Sequence, residues 1–144
     1  MLDLIKALAE YERLTDGVVV TEERLRESLF GDRPAIEVVL ARVGADTVGF
    51  AVWFQNYSTF LGLPGLYLED LFVLPEWRGR GIGRALLAHL AQVAVARGYG
   101  RMEWSVLDWN ETAIGFYRGL GARPMDEWTV HRLVGDSLQR LAKL

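Results

Sequence analysis

The segment Arg78-Gly79-Arg80-Gly81-Ile82-Gly83-Arg84 constrains this chain more than any other stretch of its 144 residues. Three glycines alternate with other residues, three of them arginines, between an apolar run at 66–73 and a long amphipathic stretch. Glycine permits backbone conformations that a Cβ forbids and lets the main chain come close to a ligand. At a helix start, successive N–H groups then point outward with the positive end of the helix dipole behind them, which suits an anion. An isolated G-x-G match is ordinarily just a flexible connection with solvated arginines. Here a strand-like run before the glycines and a helix-like run after them favour an anion cradle. The segment lacks the Gly-Lys-Ser/Thr ending of a P-loop, and Arg84 stands where a dinucleotide fingerprint has its third glycine. A pyrophosphate-bearing ligand of another kind remains.

The flanking pattern predicts the rest of the architecture. Leu4, Ile5, Leu8 and Tyr11 recur at helical spacing ahead of Asp16-Gly17. Thr21 is placed to cap a second helix, with Glu22 and Glu23 in its first turn, Leu25 and Leu29 on one face, and Gly31 at its end. Runs at 36–43 and 47–54 are β-branched and aromatic, separated by Gly44-Ala45-Asp46, and predict a hairpin. A loop over 58–65 leads to a third strand over 66–73, which Pro75 stops. Ile82, Leu86, Leu90 and Val93 or Ala94 form one stripe of a helix closed by Gly98. A strand is expected over 102–107. Asn110 then caps a helix carrying Ala113, Phe116, Tyr117 and Leu120, closed by Gly121, and a last strand over 128–133 and a short terminal helix follow. Strand, helix, strand in the second half implies a right-handed parallel crossover, while the first half reads as antiparallel. The expected fold class is α/β (α+β): a mixed sheet flanked by helices, in one domain over 1–144.

Composition narrows the chemistry. At 51% apolar and 24% charged residues, the chain suits one domain with a genuine core. Without cysteine it has no thiolate nucleophile, no disulfide framework and no cysteine zinc site. His89 and His131 show no ligand spacing, so no metal is expected. A net charge of −3 speaks against a nucleic-acid partner and mildly for a cationic one. Neither a leader-like start nor a bilayer-length apolar run is present, so a cytoplasmic setting and no membrane partner are expected.

The run from Val73 through Gly83 resembles the Q/R-x-x-G-x-G/A signature of the GCN5-related N-acetyltransferases (GNAT). Four blocks, residues 4–12, 67–73, the glycine segment, and Asp108-Trp109-Asn110 through Phe116-Tyr117, are similar to spermidine/spermine (diamine) and thialysine acetyltransferases, in the same order and at similar spacing. The resemblance implies a sheet splayed at a parallel pair, with acetyl-CoA between the two strands. Its pyrophosphate would rest on Arg78, Gly79, Arg80, Gly81, Ile82, Gly83 and Arg84, and its acetyl and pantetheine portions against the backbone of Leu71, Phe72 and Val73. Further cofactor contact is implied for Asn110, Glu111, Thr112, Ala113 and Tyr117. Members usually have a strand before the first helix, and this one lacks a counterpart here.

The chemistry itself needs a base, because an alkylammonium with a reference pKa of about 10.4 must lose a proton before it attacks a thioester. By resemblance Glu69 is that base, working through water, and Tyr117 is the acid for the departing thiolate. Read alone, Glu69 could equally be an exposed strand-end carboxylate, and Tyr117 a core aromatic. Asp70, adjacent to Glu69, is expected on the opposite face of the strand with a structural role. Tyr11 and Glu12 match an acceptor-contacting pair, and Glu103, Trp104 and Ser105 fall in another acceptor-facing segment. Asp126 or Glu127 aligns only loosely with a further acidic contact. Trp53, Trp77 and Trp128 read as core or interface aromatics. A homodimer is expected from the resemblance and from the apolar last strand and the Leu138, Leu141, Leu144 stripe. The implied reaction is acetyl transfer from acetyl-CoA to a primary amine of a small cationic acceptor, a diamine, polyamine or thialysine-like amino acid. Two alternatives stay open: a protein or peptide N-acetyltransferase, and a noncatalytic acyl-CoA-binding module.

Overall fold

The glycine run lies between a strand and a helix, and the sheet around it explains what it can reach. The computed structural model describes residues 1–144, which divide into two compact units, Met1–Ser105 and Val106–Leu144. The first unit contains α1 (Leu2–Tyr11), α2 (Glu22–Phe30), β1 (Glu37–Val43), β2 (Asp46–Ser58), β3 (Leu63–Val73), α3 (Ile82–Ala96) and β4 (Met102–Trp104). The second contains α4 (Glu111–Gly119) and α5 (Gly135–Leu141). No helix is long and apolar enough to cross a membrane.

The four strands form one sheet in the order β1-β2-β3-β4, with antiparallel pairs β1/β2 and β2/β3 and a parallel pair β3/β4. The expected mixed sheet is therefore present, with α3 as the crossover between its parallel strands. One face carries α1. Its Leu4 and Leu8 pack with Phe50, Val52 and Phe72 in a single cluster, with Val38 against it. The opposite face carries α3, whose Leu86, Leu87, Leu90 and Ala94 are buried. Ala51, Trp53, Leu66 and Leu68 are also buried, on strand positions that alternate away from α1. Burying each such large side chain contributes about 1.5–3 kcal/mol, so both helices are held by packing rather than by propensity.

The strand boundaries differ from the sequence expectation in three places. β3 begins at Leu63 rather than 66, taking in Pro64 opposite Tyr57 and Gly65 opposite Asn56. Pro64 has no N–H to give, and it sits ahead of the first β3/β4 pair, where none is required. β4 covers only Met102–Trp104 instead of 102–107, pairing Leu66 with Met102, Tyr67 with Glu103 and Leu68 with Trp104. Beyond these pairs β3 runs on without β4. The strand expected over 128–133 does not form. Its alternating pattern has strand character, but backbone groups need a partner, and the unit Val106–Leu144 contains no other strand. The remaining stripe choice resolves to Ala94, which is buried, whereas Val93 is half-buried.

Candidate active site

The turn before α3 has the features of an anion cradle. Gly79 and Gly81 adopt left-handed conformations, at φ 73° and 81°, that other residues reach only with strain. Gly81 is the N-cap of α3. The space a Cβ would occupy at either glycine is open, with no heavy atom within 4 Å. The N–H groups of residues 79–84 donate to no backbone carbonyl, and the first helical bond is from Ala85 N–H to Gly81 C=O at 2.9 Å. This row of unpaired amides at a helix start fits a diphosphate.

The arginines divide their labour. The Arg80 guanidinium lies 4.7 Å over the Trp77 ring, and Arg84 is exposed on the first turn of α3. Arg78 differs from the expectation that it joins the cradle. Its N–H donates to the Pro75 carbonyl at 3.2 Å, and its Nε donates to the Val73 carbonyl at 2.9 Å. Its guanidinium carbon sits 4.4 Å over the Tyr11 ring and 5.3 Å from the Phe72 centroid. Val73 thus already has its carbonyl engaged. Leu71 and Phe72 lie on the stretch of β3 past the last β4 pair, where an extended ligand chain has a strand edge to follow.

The carboxylates correct the sequence reading. Pairing between β2 and β3 passes from Val52/Asp70 to Trp53/Leu68, so Glu69 is an extra residue, a β-bulge. Phe54 follows Val52 on the α1 face and pairs with Tyr67, their rings 5.1 Å apart. Counting two residues forward from Tyr67 puts Glu69 on the α1 face. Counting two back from Phe72 puts Asp70 there as well. The expectation that they point to opposite faces fails because strict alternation does not survive the bulge.

Tyr11 and Glu12 end α1 on this same face, with the Tyr11 and Phe72 rings 6.4 Å apart. Burial, with smaller contributions from the neighbouring Glu69 and Glu12, raises the pKa of Asp70 to about 6. Burial also raises that of Glu12. Asp70, expected to be structural and to face away from Glu69, thus lies on the same face as Glu69 and the Glu12 end of α1.

The β4 residues separate. Glu103, registered beside Tyr67, is on the α1 face, but it accepts from Asn56 Nδ2 at 3.1 Å and Arg101 Nε at 2.8 Å. Ser105 Oγ meets the Tyr67 hydroxyl at 2.9 Å on that side. Trp104, registered with Leu68, belongs to the opposite face.

In the second unit, Asn110 Oδ1 accepts from Ala113 N–H at 3.2 Å and so caps α4. Glu111 and Thr112 are exposed on its first turn. Tyr117 is half-buried, with its ring 5.4 Å from that of Phe116. Asp126 and Glu127 are exposed outside any helix or strand.

Comparison with known proteins agrees with this geometry. The sequence profile described as "Acetyltransferase (GNAT) family" matches residues 3–122. A thialysine N-epsilon-acetyltransferase of Bos taurus is 38% identical, covering 99% of this chain and 89% of the relative. An L-ornithine N5-acetyltransferase of Arabidopsis thaliana is 34% identical, covering 98% and 82%. Among solved structures, an integron cassette protein from the mobile metagenome of V. cholerae superposes with a TM-score of 0.80 at 32% identity, covering 99% and 91%. A mixed sheet parted at its parallel pair, a glycine cradle at the helix beside it, and these likenesses place the chain in the acetyltransferase (GNAT) family, as an acyl-CoA-dependent N-acetyltransferase.

Proposed function

We propose that this protein acetylates a terminal primary amine of a small cationic acceptor, of the diamine, polyamine or thialysine-like amino-acid type. The observation that carries this reading is the bulge at Glu69, which gathers Glu69, Asp70 and the Glu12 end of α1 on one face. Such a group of carboxylates attracts an alkylammonium, and a site built of acids is poorly suited to a neutral or acidic acceptor. The named activities of the relatives, on thialysine and on L-ornithine, both concern an amine at the end of an amino-acid side chain.

The cosubstrate supplies the activated acetyl group as a thioester. Amides of residues 79–84 hold its diphosphate, and the free edge of β3 at Leu71 and Phe72 aligns the chain that carries the thioester. Glu69 receives the ammonium proton through water, leaving a neutral amine to form the new C–N bond as the C–S bond breaks. Asp70, ionised above about pH 6, holds the incoming cation beside it. Tyr117, assigned by its place in the family motif, returns a proton to the departing thiolate.

The protein works as a homodimer in the cytoplasm. Support for the dimer is the exposed apolar content of the last residues, including Trp128, Val130, Leu138 and Leu141. A strict monomer by light scattering at working concentration removes that part of the reading.

Acetyl-CoA-dependent thiol release, measured across diamines, polyamines, thialysine, lysine, ornithine and basic peptides, tests the reaction. Turnover with small diamines or ω-amino acids is expected. Turnover with peptides alone makes the protein a peptide acetyltransferase, and silence across the panel makes it a binding module.

A further inference from the structure

Arg78 is the residue of the glycine segment whose N–H and Nε both bond to carbonyls outside the anion cradle. Its N–H closes the turn onto Pro75, its Nε binds the last carbonyl of β3, and its guanidinium covers the ring of Tyr11, the last residue of α1. The same planar group lies near the Phe72 ring, so Phe72, Tyr11 and Arg78 form a small stack at the end of the sheet. Gly79, the first residue of the cradle, follows directly in the chain. The guanidinium thus lies on the faces of two aromatic rings.

From this juxtaposition we propose that the Arg78 side chain is a positioning residue that ties the cofactor turn to the acceptor wall, holding the Tyr11–Glu12 end of α1 against β3. The body of α1 is anchored by Leu4 and Leu8 in the core, so the helix folds without Arg78. Its last turn holds the buried Leu8 and Ala9 and ends at Tyr11, which packs against the same core and carries the Arg78 guanidinium over its ring. Anything that orders the turn over residues 78–84 then also fixes where Tyr11 and Glu12 stand. A guanidinium can donate from Nε while its plane covers a ring. A lysine ammonium cannot do both in this geometry, although it keeps the charge. The assignment of Tyr11 and Glu12 to the acceptor wall rests on the reading above, whereas the mechanical link to α1 does not.

Two measurements on Arg78→Lys and Arg78→Gln decide the matter. The first is steady-state kinetics with the best amine of the panel, alongside calorimetry with coenzyme A alone. For both variants the acceptor KM is expected to rise about tenfold, the size of one hydrogen bond to a charged group, while coenzyme A affinity stays within about threefold. The second is amide hydrogen exchange with and without coenzyme A, which needs no acceptor. Exchange at residues 11–14 should quicken in both variants, and the protection that coenzyme A confers there on the wild type should be lost, with α3 unchanged. Tyr11→Leu should reproduce the exchange effect, and combining it with Arg78→Lys should add little. The proposal is overturned if lysine restores wild-type behaviour, if coenzyme A affinity collapses while the acceptor KM stays put, or if exchange at 11–14 does not respond. Failure of every amine in the panel removes the proposed function but leaves the exchange arm to judge the link.

Discussion

The units Met1–Ser105 and Val106–Leu144 are built on opposite terms. The first has a sheet with a helix on each face and a packed interior, where Phe50, Leu66 and Leu90 have no exposed surface. The second, at about a quarter of the chain, has two helices and not one buried residue, and Trp128 and Val130 keep 74% and 81% of their surface in solvent. Apolar content does not distinguish them, since both carry large apolar side chains in quantity. The difference is hydrogen-bonded partnership. In the first unit every strand has a neighbour, so alternating side chains are forced onto two faces that helices can cover. In the second, the only strand-like segment has nothing to pair with, and its side chains have no sheet to bury against.

That contrast can be broken most severely in the core of the first unit. Phe50→Ala should destabilise the protein by about 3–5 kcal/mol, because a buried ring leaves a cavity that packed neighbours cannot fill. Val130→Ala should shift the same melting transition by under about 0.5 kcal/mol in the monomer, as expected of an exposed side chain. Comparable losses at the two sites, by chemical denaturation, would erase the distinction.

Next in size is the carboxylate cluster. Asp70 has a folded-state pKa of about 6, above its unfolded value, so its ionisation is disfavoured by the fold. Its contribution to stability is therefore fully present below about pH 4, declines as pH rises to about 6, and stays lost above that. Asp70→Asn should be more stable than wild type by about 2 kcal/mol at pH 7.5, with the advantage gone near pH 4. The same variant should raise the acceptor KM at pH 7.5. Stability curves that run parallel across this range would remove Asp70 from its role.

Gly81→Ala comes third. The added Cβ meets no atom, so only backbone strain of about 1–2 kcal/mol is expected in the melt. Coenzyme A affinity should nevertheless fall by about tenfold or more, because the methyl group enters the space in front of the cradle amides. Loss of stability without loss of affinity would show that the turn does not hold the anion.

The smallest effect belongs to the pair that fastens the end of α3 to β1. Arg97 reaches both Glu37 oxygens, at 2.5 and 2.7 Å, yet both side chains are over 40% exposed. Hydrogen bonding to Arg97 lowers the pKa of Glu37. Glu37→Gln should cost under about 1 kcal/mol, shrinking in high salt, and should leave turnover untouched.

Much of the fold was legible because its signals are local. Thr21 and Asn110 cap their helices through Arg24 and Ala113 N–H, as their residue types foretold. Gly79 and Gly81 needed only their spacing and flanks to be read as a turn into a helix, and both adopt positive φ there. The site was less legible. Alternation along β3 predicted that Glu69 and Asp70 diverge, and nothing in the sequence announced a bulge, which arises from how β2 and β3 pair. Arg78 looked like one more cationic group of the cradle, whereas its guanidinium also covers the ring of Tyr11, far away along the chain.

By itself, then, the sequence determined the helices, the first three strands, the caps and the left-handed glycine turn ahead of α3, whose signals lie within a few positions of one another. Tertiary structure alone decided which carboxylates share a face, where β4 leaves β3, and why the segment 128–133 never becomes a strand. These depend on register and partnership between distant segments, and a one-residue shift in pairing moves a side chain to the other side of a sheet without altering any local pattern.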